Sequence, residues 1–288
     1  MLNIIKYKFV FLAISGLLVV ASIASIAVLG LKPGIDFVGG VSWQLQFNAL
    51  PDREAVTAIL PAGALITPQE EGRMLIRLPD LSEADRQAKL QELGGKFGEV
   101  TELQFQNIGP AVGEDLKRGA FWAIGLVLLA ISLYIAFSFR KVSKPVSSWK
   151  YGIVTLVTLF HDAVIPAGMF AVLGRFMNWE VDVNFVVAVL VVIGFSVHDT
   201  IVVFDRIREN LRLAGPARGN FDDLVNSSVN QTFTRSINTS LTLVLTLLAL
   251  YFFGPSNMSY FILTILVGVS VGTYSSIFVA SPLLTLLK

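Results

Sequence analysis

Two His–Asp pairs, His161–Asp162 and His198–Asp199, sit inside long apolar runs and are the groups of this sequence best placed to do chemistry. An ionisable side chain in hydrocarbon is costly unless it faces protein or water, so each of the four is a functional candidate. Neighbours in a helix point about 100° apart, so neither pair makes a metal site alone, and no metal is expected. Arg235 opens a further apolar run, and Arg235, Thr239, Thr242 and Thr246 follow at spacings of 4, 3 and 4, with Asn238 beside them. On a helix this is one polar stripe, expected to face a bundle interior because lipid cannot satisfy it. Asp199 lies in the last third of its run and Arg235 at the start of the next, so antiparallel packing puts them at similar depth. Desolvation favours the neutral acid of an aspartate and a close arginine favours its anion; a group held between the two could take up and release protons. Asp199, Arg235 and Asp162 are therefore candidate proton-coupling residues, Asp162 without an evident cation. His198, His161, Thr239, Thr242 and Asn238 are candidate supporting groups. The bland alternative is that all of them are interhelical glue.

The elements that must carry these residues are membrane helices. Of 288 residues, 54% are hydrophobic and 15% charged, against about 25% charged in a typical soluble domain. Apolar runs cover Phe9–Leu31, Gly119–Phe139, Tyr151–Leu173, Val183–Phe204, Ser236–Phe253 and Tyr260–Leu287. Each comes near the ~20 residues that cross ~30 Å of hydrocarbon, which predicts a bundle of six transmembrane helices. The first run is longer than the ~7–15-residue core of a signal peptide and reads as an uncleaved helix. Lys6, Lys8, Arg140, Lys141, Lys144, Lys150, Arg206, Arg208, Arg212, Arg218, Arg235 and Lys288 fall on one side of the membrane, whereas the opposite short connections hold only Arg175. The positive-inside rule then puts both termini in the cytoplasm. Gly268, Gly272 and Ser276 recur every four residues as a small-residue packing face on the last span, and Ser15 and Ser22 are candidates for the same on the first. A long cytoplasmic link at about 205–234 joins the fourth and fifth spans, and within it Asn220 is expected to N-cap a helix starting at Phe221.

Residues 32–115 switch to soluble-protein patterning and form one exported domain between residues 1–31, which hold the first span, and 116–288, which hold the other five. Strands are expected at Val41–Phe47, Ala64–Thr67, Arg73–Leu78 and Val100–Asn107, and helices at Asp52–Leu60 and Ser82–Phe97, with Ser82 as N-cap. The order β-α-β-β-α-β is that of the ferredoxin-like, split βαβ fold. That fold alone says nothing specific about function, and the domain shows no paired carboxylates, histidines or phosphate-cradling loop, so binding or docking is its expected role.

Several strings resemble the SecD/SecF family of protein-export membrane proteins. GFSVHDTIVVFDRIREN (Gly194–Asn210) resembles the family's fourth-helix motif, and GIDFVGG (Gly34–Gly40), GPAVGEDLKRGA (Gly109–Ala120), RSINTSLT (Arg235–Thr242) and GTYSSIFVASPL (Gly272–Leu283) resemble its others in the same order. The resemblance implies half of a resistance-nodulation-division architecture in a bacterial or archaeal cell (inner) membrane. It implies a SecD-like six-helix partner, the Sec translocon channel and a translocating preprotein as partners, with the proton as coupling ion and no other cofactor. It also implies that Asp199 and Arg235 move protons. The residue before the fourth-helix Asp is often Asn in the family and is His198 here.

The leading expectation is an accessory subunit of the Sec machinery that uses the proton gradient, with SecD, to promote preprotein translocation. The alternatives are a passive scaffold of the translocon and half of a small-molecule exporter of the same fold. The chain has no cysteine and a net charge of +1, which excludes thiolate chemistry and gives no sign of a nucleic-acid partner; its medium is membrane lipid. Two intramembrane aspartates call to mind aspartyl proteases, but the GxGD string is absent, as is HExxH, and no enzymatic activity is expected.

Overall fold

The structure, a computed structural model, describes residues 2–69, 72–140, 145–214, 219–255 and 258–288. Lys141, Lys144 and Arg218, counted above among the basic residues, lie outside the described residues. In chain order the elements are α1 (Lys8–Leu29), α2 (Ile35–Val38), β1 (Gly40–Phe47), α3 (Arg53–Thr57), β2 (Leu65–Pro68), β3 (Arg73–Leu78), α4 (Glu83–Phe97), β4 (Val100–Ile108), α5 (Pro110–Ser138), α6 (Ser148–Met177), α7 (Val183–Ala214), α8 (Phe221–Phe253) and α9 (Ser259–Ser275). A π-helical turn, Ser276–Ala280, continues α9 into α10 (Ser281–Leu286). The chain divides into two compact units, Pro33–Ala120 and the remainder.

The smaller unit is a four-stranded sheet of order β2-β3-β1-β4 with every pair antiparallel. Period-2 alternation puts Val41, Trp43, Leu45 and Phe47 of β1 on one face, where they meet Ile66, Met74, Ile76 and Leu78 from the neighbouring strands and Val56 and Leu93 from the helices. Ser82 caps α4 by accepting a hydrogen bond from the Asp85 amide at 3.2 Å. The α3 helix is shorter than the expected Asp52–Leu60, and the single turn α2 carries no periodicity that would announce it. The α2 turn ends at Gly39 (φ +77°), where a Cβ would lie 2.9 Å from Cα of Pro110, and Gly40 has φ +120°. A Cβ at Gly113 would in turn lie 3.0 Å from the Gly39 amide nitrogen. GIDFVGG and GPAVG are thus two backbone segments in close apposition, which is why both need glycine.

In the larger unit, six helices are long and apolar enough to cross a membrane: the α1, α5, α6, α7 and α8 helices and the run from Ser259 to Leu286. The α6, α7 and α9 helices make the buried centre, and α1, α5 and α8 leave most of their surface uncovered. Close crossings follow small residues. Gly168 of α6 seats Ser22 of α1, and the Gly152 carbonyl accepts from Ser132 of α5 at 2.7 Å. On α9, Gly268 meets Val192 of α7, and a Cβ at Gly272 would lie 2.9 Å from Cβ of Ser196. Ser276 opens the π turn, its hydroxyl donating to the Thr273 carbonyl at 3.0 Å.

Both chain ends meet at one end of the bundle. The Lys8 ammonium reaches Asp222 at 2.8 Å and Thr285 at 3.1 Å, Lys288 lies 3.4 Å from the same Asp222, and the Asn226 and Asn230 side chains bind the Leu2 backbone. In the link at 205–234 the expected helix start at Phe221, capped by Asn220, is present, and α7 runs further than expected, to Ala214. Ile207 and Leu211 on α7 and Phe221, Val225 and Val229 on α8 pack together, at the 3–4 residue spacing that buries one face of each helix. Asn210 bonds Ser228 at 2.8 Å beside them. Dense charge over 205–223 hides this short apolar seam in the sequence.

Candidate functional site

The buried centre holds two carboxylates on adjacent helices. Asp162 of α6 is fully buried, and its oxygens have three polar partners: His161 Nδ1, which shares a hydrogen bond at 2.8 Å, and the donating hydroxyls of Ser275 of α9 at 2.7 Å and Ser196 of α7. This residue therefore joins three helices. His161 is itself buried, and its Nε2 has no hydrogen-bond partner among the described residues. Below it on α6, Tyr151, Thr155 and Thr158 continue a fully buried stripe at helical spacing, the two threonines bonding back to carbonyls of the preceding turn.

Asp199 of α7 is 2% exposed. The hydroxyls of Ser236 on α8 and Ser276 at the π turn flank it. Neither the Asp199 Oδ2 nor the Ser236 hydroxyl has a hydrogen-bond partner among the described residues. A carboxylate so placed has only two small hydroxyls beside it and no ionic partner among the described residues, less than a buried anion requires.

The expected pairing of Asp199 with Arg235 is not present within this chain. Arg235 adjoins Ser236, so it shares the depth of Asp199 as the spacing predicts, but its side chain is exposed. Asn238, Thr239, Thr242 and Thr246 are exposed with it, and Thr242 and Thr246 bond only to carbonyls of their own helix. This corrects the expectation that the stripe faces the interior of this bundle. The physical reason is that α8 carries two polar faces. The one that turns inward is Ser228, Thr232, Ser236 and Ser240, whose small side chains fit the tight α7–α8–α9 contact, Ser240 accepting from Thr273 at 2.6 Å. Four-residue spacing of those hydroxyls was readable in the sequence, but the choice between two polar stripes was not. His198, the residue before Asp199, is also exposed, and it lies close enough to act on Asp199 electrostatically. Ser196 and Ser275, the partners of Asp162, carried no signal beyond being small and polar in an apolar run.

Comparison with known proteins decides the family. Residues 88–288 match the description "Protein export membrane protein SecD/SecF, C-terminal", and residues 24–49 match "SecD/SecF GG Motif". The chain belongs to the SecD/SecF family. The second match contains the Gly39–Gly40 corner described above. A relative named protein translocase subunit SecF, from Thermobaculum terrenum, is 44% identical over 99% of this chain and 93% of its own length. Another of that name, from Anaerolinea thermophila, is 35% identical over 99% of this chain and 94% of its own. The crystal structure of SecDF, a translocon-associated membrane protein from Thermus thermophilus, superposes with a TM-score of 0.85 at 34% identity and covers 99% of this chain. This chain spans only 38% of that SecDF chain. Membership makes the protein a multi-pass protein of the cell membrane with a role in Sec-associated protein export.

Proposed function

We propose that this chain is a proton-driven subunit of the Sec export machinery, that a SecD-like six-helix bundle covers the exposed polar face of α7 and α8, and that Asp199 and Arg235 carry the coupling proton. The observation behind the reading is the juxtaposition of a buried Asp199, without an ion pair among the described residues, with a polar face that none of the described residues covers. Lipid satisfies none of Arg235, Asn238, Thr239 and His198 in the cytoplasmic part of the span, and each polar group left in hydrocarbon costs several kcal/mol. A second bundle supplies the missing partners. The 36%-identical Thermus thermophilus relative named SecDF agrees with this, because this chain corresponds to 35% of it. Both termini lie in the cytoplasm by the basic residues, the 33–120 unit lies outside, and the preprotein and the translocon channel are the remaining partners. The strand order and the placing of α3 and α4 after β1 and β3 support a ferredoxin-like reading of that unit.

Proton entry at Asp199 from the outer side and release to the cytoplasm, under a potential worth about 2.3 kcal/mol per charge per 100 mV, would bias a two-state movement of the helices. Asp199→Asn in the native host tests this by pulse-chase of a secreted precursor. Slowed maturation with normal protein levels and normal partner association supports the reading. Unchanged maturation overturns it and leaves a scaffold role.

A further inference from the structure

The proton reading uses Asp199 and leaves the second carboxylate, Asp162, without a task. We propose that His161 and Asp162 form a second proton-binding site inside this bundle, and that it and Asp199 hold protons antagonistically across a bridge of Ser196, Ser275 and Ser276. The proposal rests on the reading of Asp199 as a proton-coupled residue.

Four observations carry it. Asp162 is fully buried, and among the described residues its one ionic partner is His161. A lone anion in such a place is untenable, so the His161–Asp162 pair holds one proton, on the carboxyl or on the imidazole, and is neutral when it does. The far nitrogen of the ring, Nε2, is buried and has no partner among the described residues, so the imidazole has a free position at which a proton or a water can be exchanged. The two sites also share one turn of α7. Ser196, which donates to Asp162, precedes Asp199 by three residues, about 4.5 Å along the helix axis. The consecutive serines of the α9 strand of the bridge complete the link, Ser275 donating to Asp162 at 2.7 Å and Ser276 flanking Asp199. Finally, the bridge falls at the junction of α9 with the π turn, a local break of the regular ladder of the kind that recurs at functional sites.

Among the described residues the other charged groups near the two sites are few: His198 acts on Asp199 electrostatically, and α5 carries no charged residue between Gly119 and Ser138. The α1 helix carries none after Lys8, which is tied to Asp222, and α9 has no charged residue; its Tyr274 hydroxyl is taken up by Ser15 and the Phe11 carbonyl. On α7 the His198 side chain is exposed, as is Arg235 on α8. With both sites empty, two anions would share one buried protein interior. A proton on either one relieves the other. The pair therefore titrates as a unit in two steps.

The test is isotope-edited infrared spectroscopy on the full chain with its SecD-like partner in membranes, with labelled aspartate, following the protonated carboxyl bands against pH. Bands are assigned by their loss in Asp199→Asn and Asp162→Asn. In the unaltered protein the two bands are expected to appear in separate steps. Asp162→Asn is expected to leave a single Asp199 step displaced by about one pH unit or more. His161→Gln, which keeps an N–H donor at similar reach, is expected to displace the Asp162 step by a similar amount, and it serves if Asp162→Asn fails to assemble. An Asp199 step unmoved by Asp162→Asn, or an Asp162 step unmoved by His161→Gln, overturns the second site. The spectroscopic result does not depend on export. Normal export in Asp199→Asn would thus sink the proton-driven function without touching the coupling, and the converse result would sink the second site alone.

Discussion

Arg235 is exposed in this chain and Asp199 beside its level is not, and that asymmetry separates what each residue does for folding from what it does for transport. Arg235→Gln is expected to leave the melting temperature of the isolated chain in detergent within about 1 °C of the unaltered value, since exposed substitutions seldom exceed ~0.5 kcal/mol. The same change is expected to remove gradient-dependent export. A large loss of stability in the isolated chain would show that the side chain folds inward after all. Gly39 makes the opposite case. Its φ of +77° and the 2.9 Å approach to Pro110 leave no room for a side chain. Gly39→Ala should cost about 1–3 kcal/mol through a strained backbone and a displaced neighbour. The melting temperature should fall by several degrees, and an unchanged value would mean that the corner adapts freely.

At the level of elements, the cap and first turn of α4 give a prediction that can be read locally. Ser82→Ala removes the acceptor of the Asp85 amide and is expected to cost about 1 kcal/mol, seen as faster amide hydrogen exchange confined to the first turn of α4 in the intact protein. In the same turn Glu83 accepts from Arg86 Nε at 2.9 Å, and the hydrogen bond with Arg86 holds its carboxyl below the ordinary glutamate value. A depressed carboxylate stabilises the fold above its unfolded value of about 4.3 and stops doing so as pH falls through the lower folded value. Protection factors in this turn, corrected for the intrinsic pH dependence of amide exchange, should therefore fall below about pH 4.5 and stay constant between pH 6 and 8. The spans, their number and the caps Ser82 and Asn220 were legible in the sequence, because length, hydropathy and capping chemistry are local properties. Three features were not. The inward face of α8 depends on which of two polar stripes meets small residues on α7 and α9. The extension of α5 back to Pro110 depends on a polar stretch, GEDLKR, being helical without an apolar face. The π turn at Ser276–Ala280 leaves no mark in residue type at all.

Taken as a whole, the molecule is an unfinished surface. The α1, α5 and α8 helices bury little of themselves within the chain, and only α8 among them exposes a mid-depth polar stripe. Co-expression with a SecD-like bundle is expected to raise the melting temperature and to give a co-purifying pair, whereas Asn238→Leu with Thr242→Leu should weaken the pair without harming the isolated chain. A pair unaffected by the double change would place the partner on another face. The α7 and α8 helices have 32 and 33 residues, and each is about 50 Å long, some 20 Å more than the hydrocarbon needs. Because the Ile207, Leu211, Val225 and Val229 seam binds the overhanging ends to each other, they extend together as one arm beyond the level of Asp199. From Asp199 to Ala214 the arm measures about 22 Å, so a tilt of about 5° at the level of Asp199 would carry its tip through about 2 Å. The lever multiplies a displacement too small to matter inside the bundle into one that a neighbouring protein in the aqueous phase can feel.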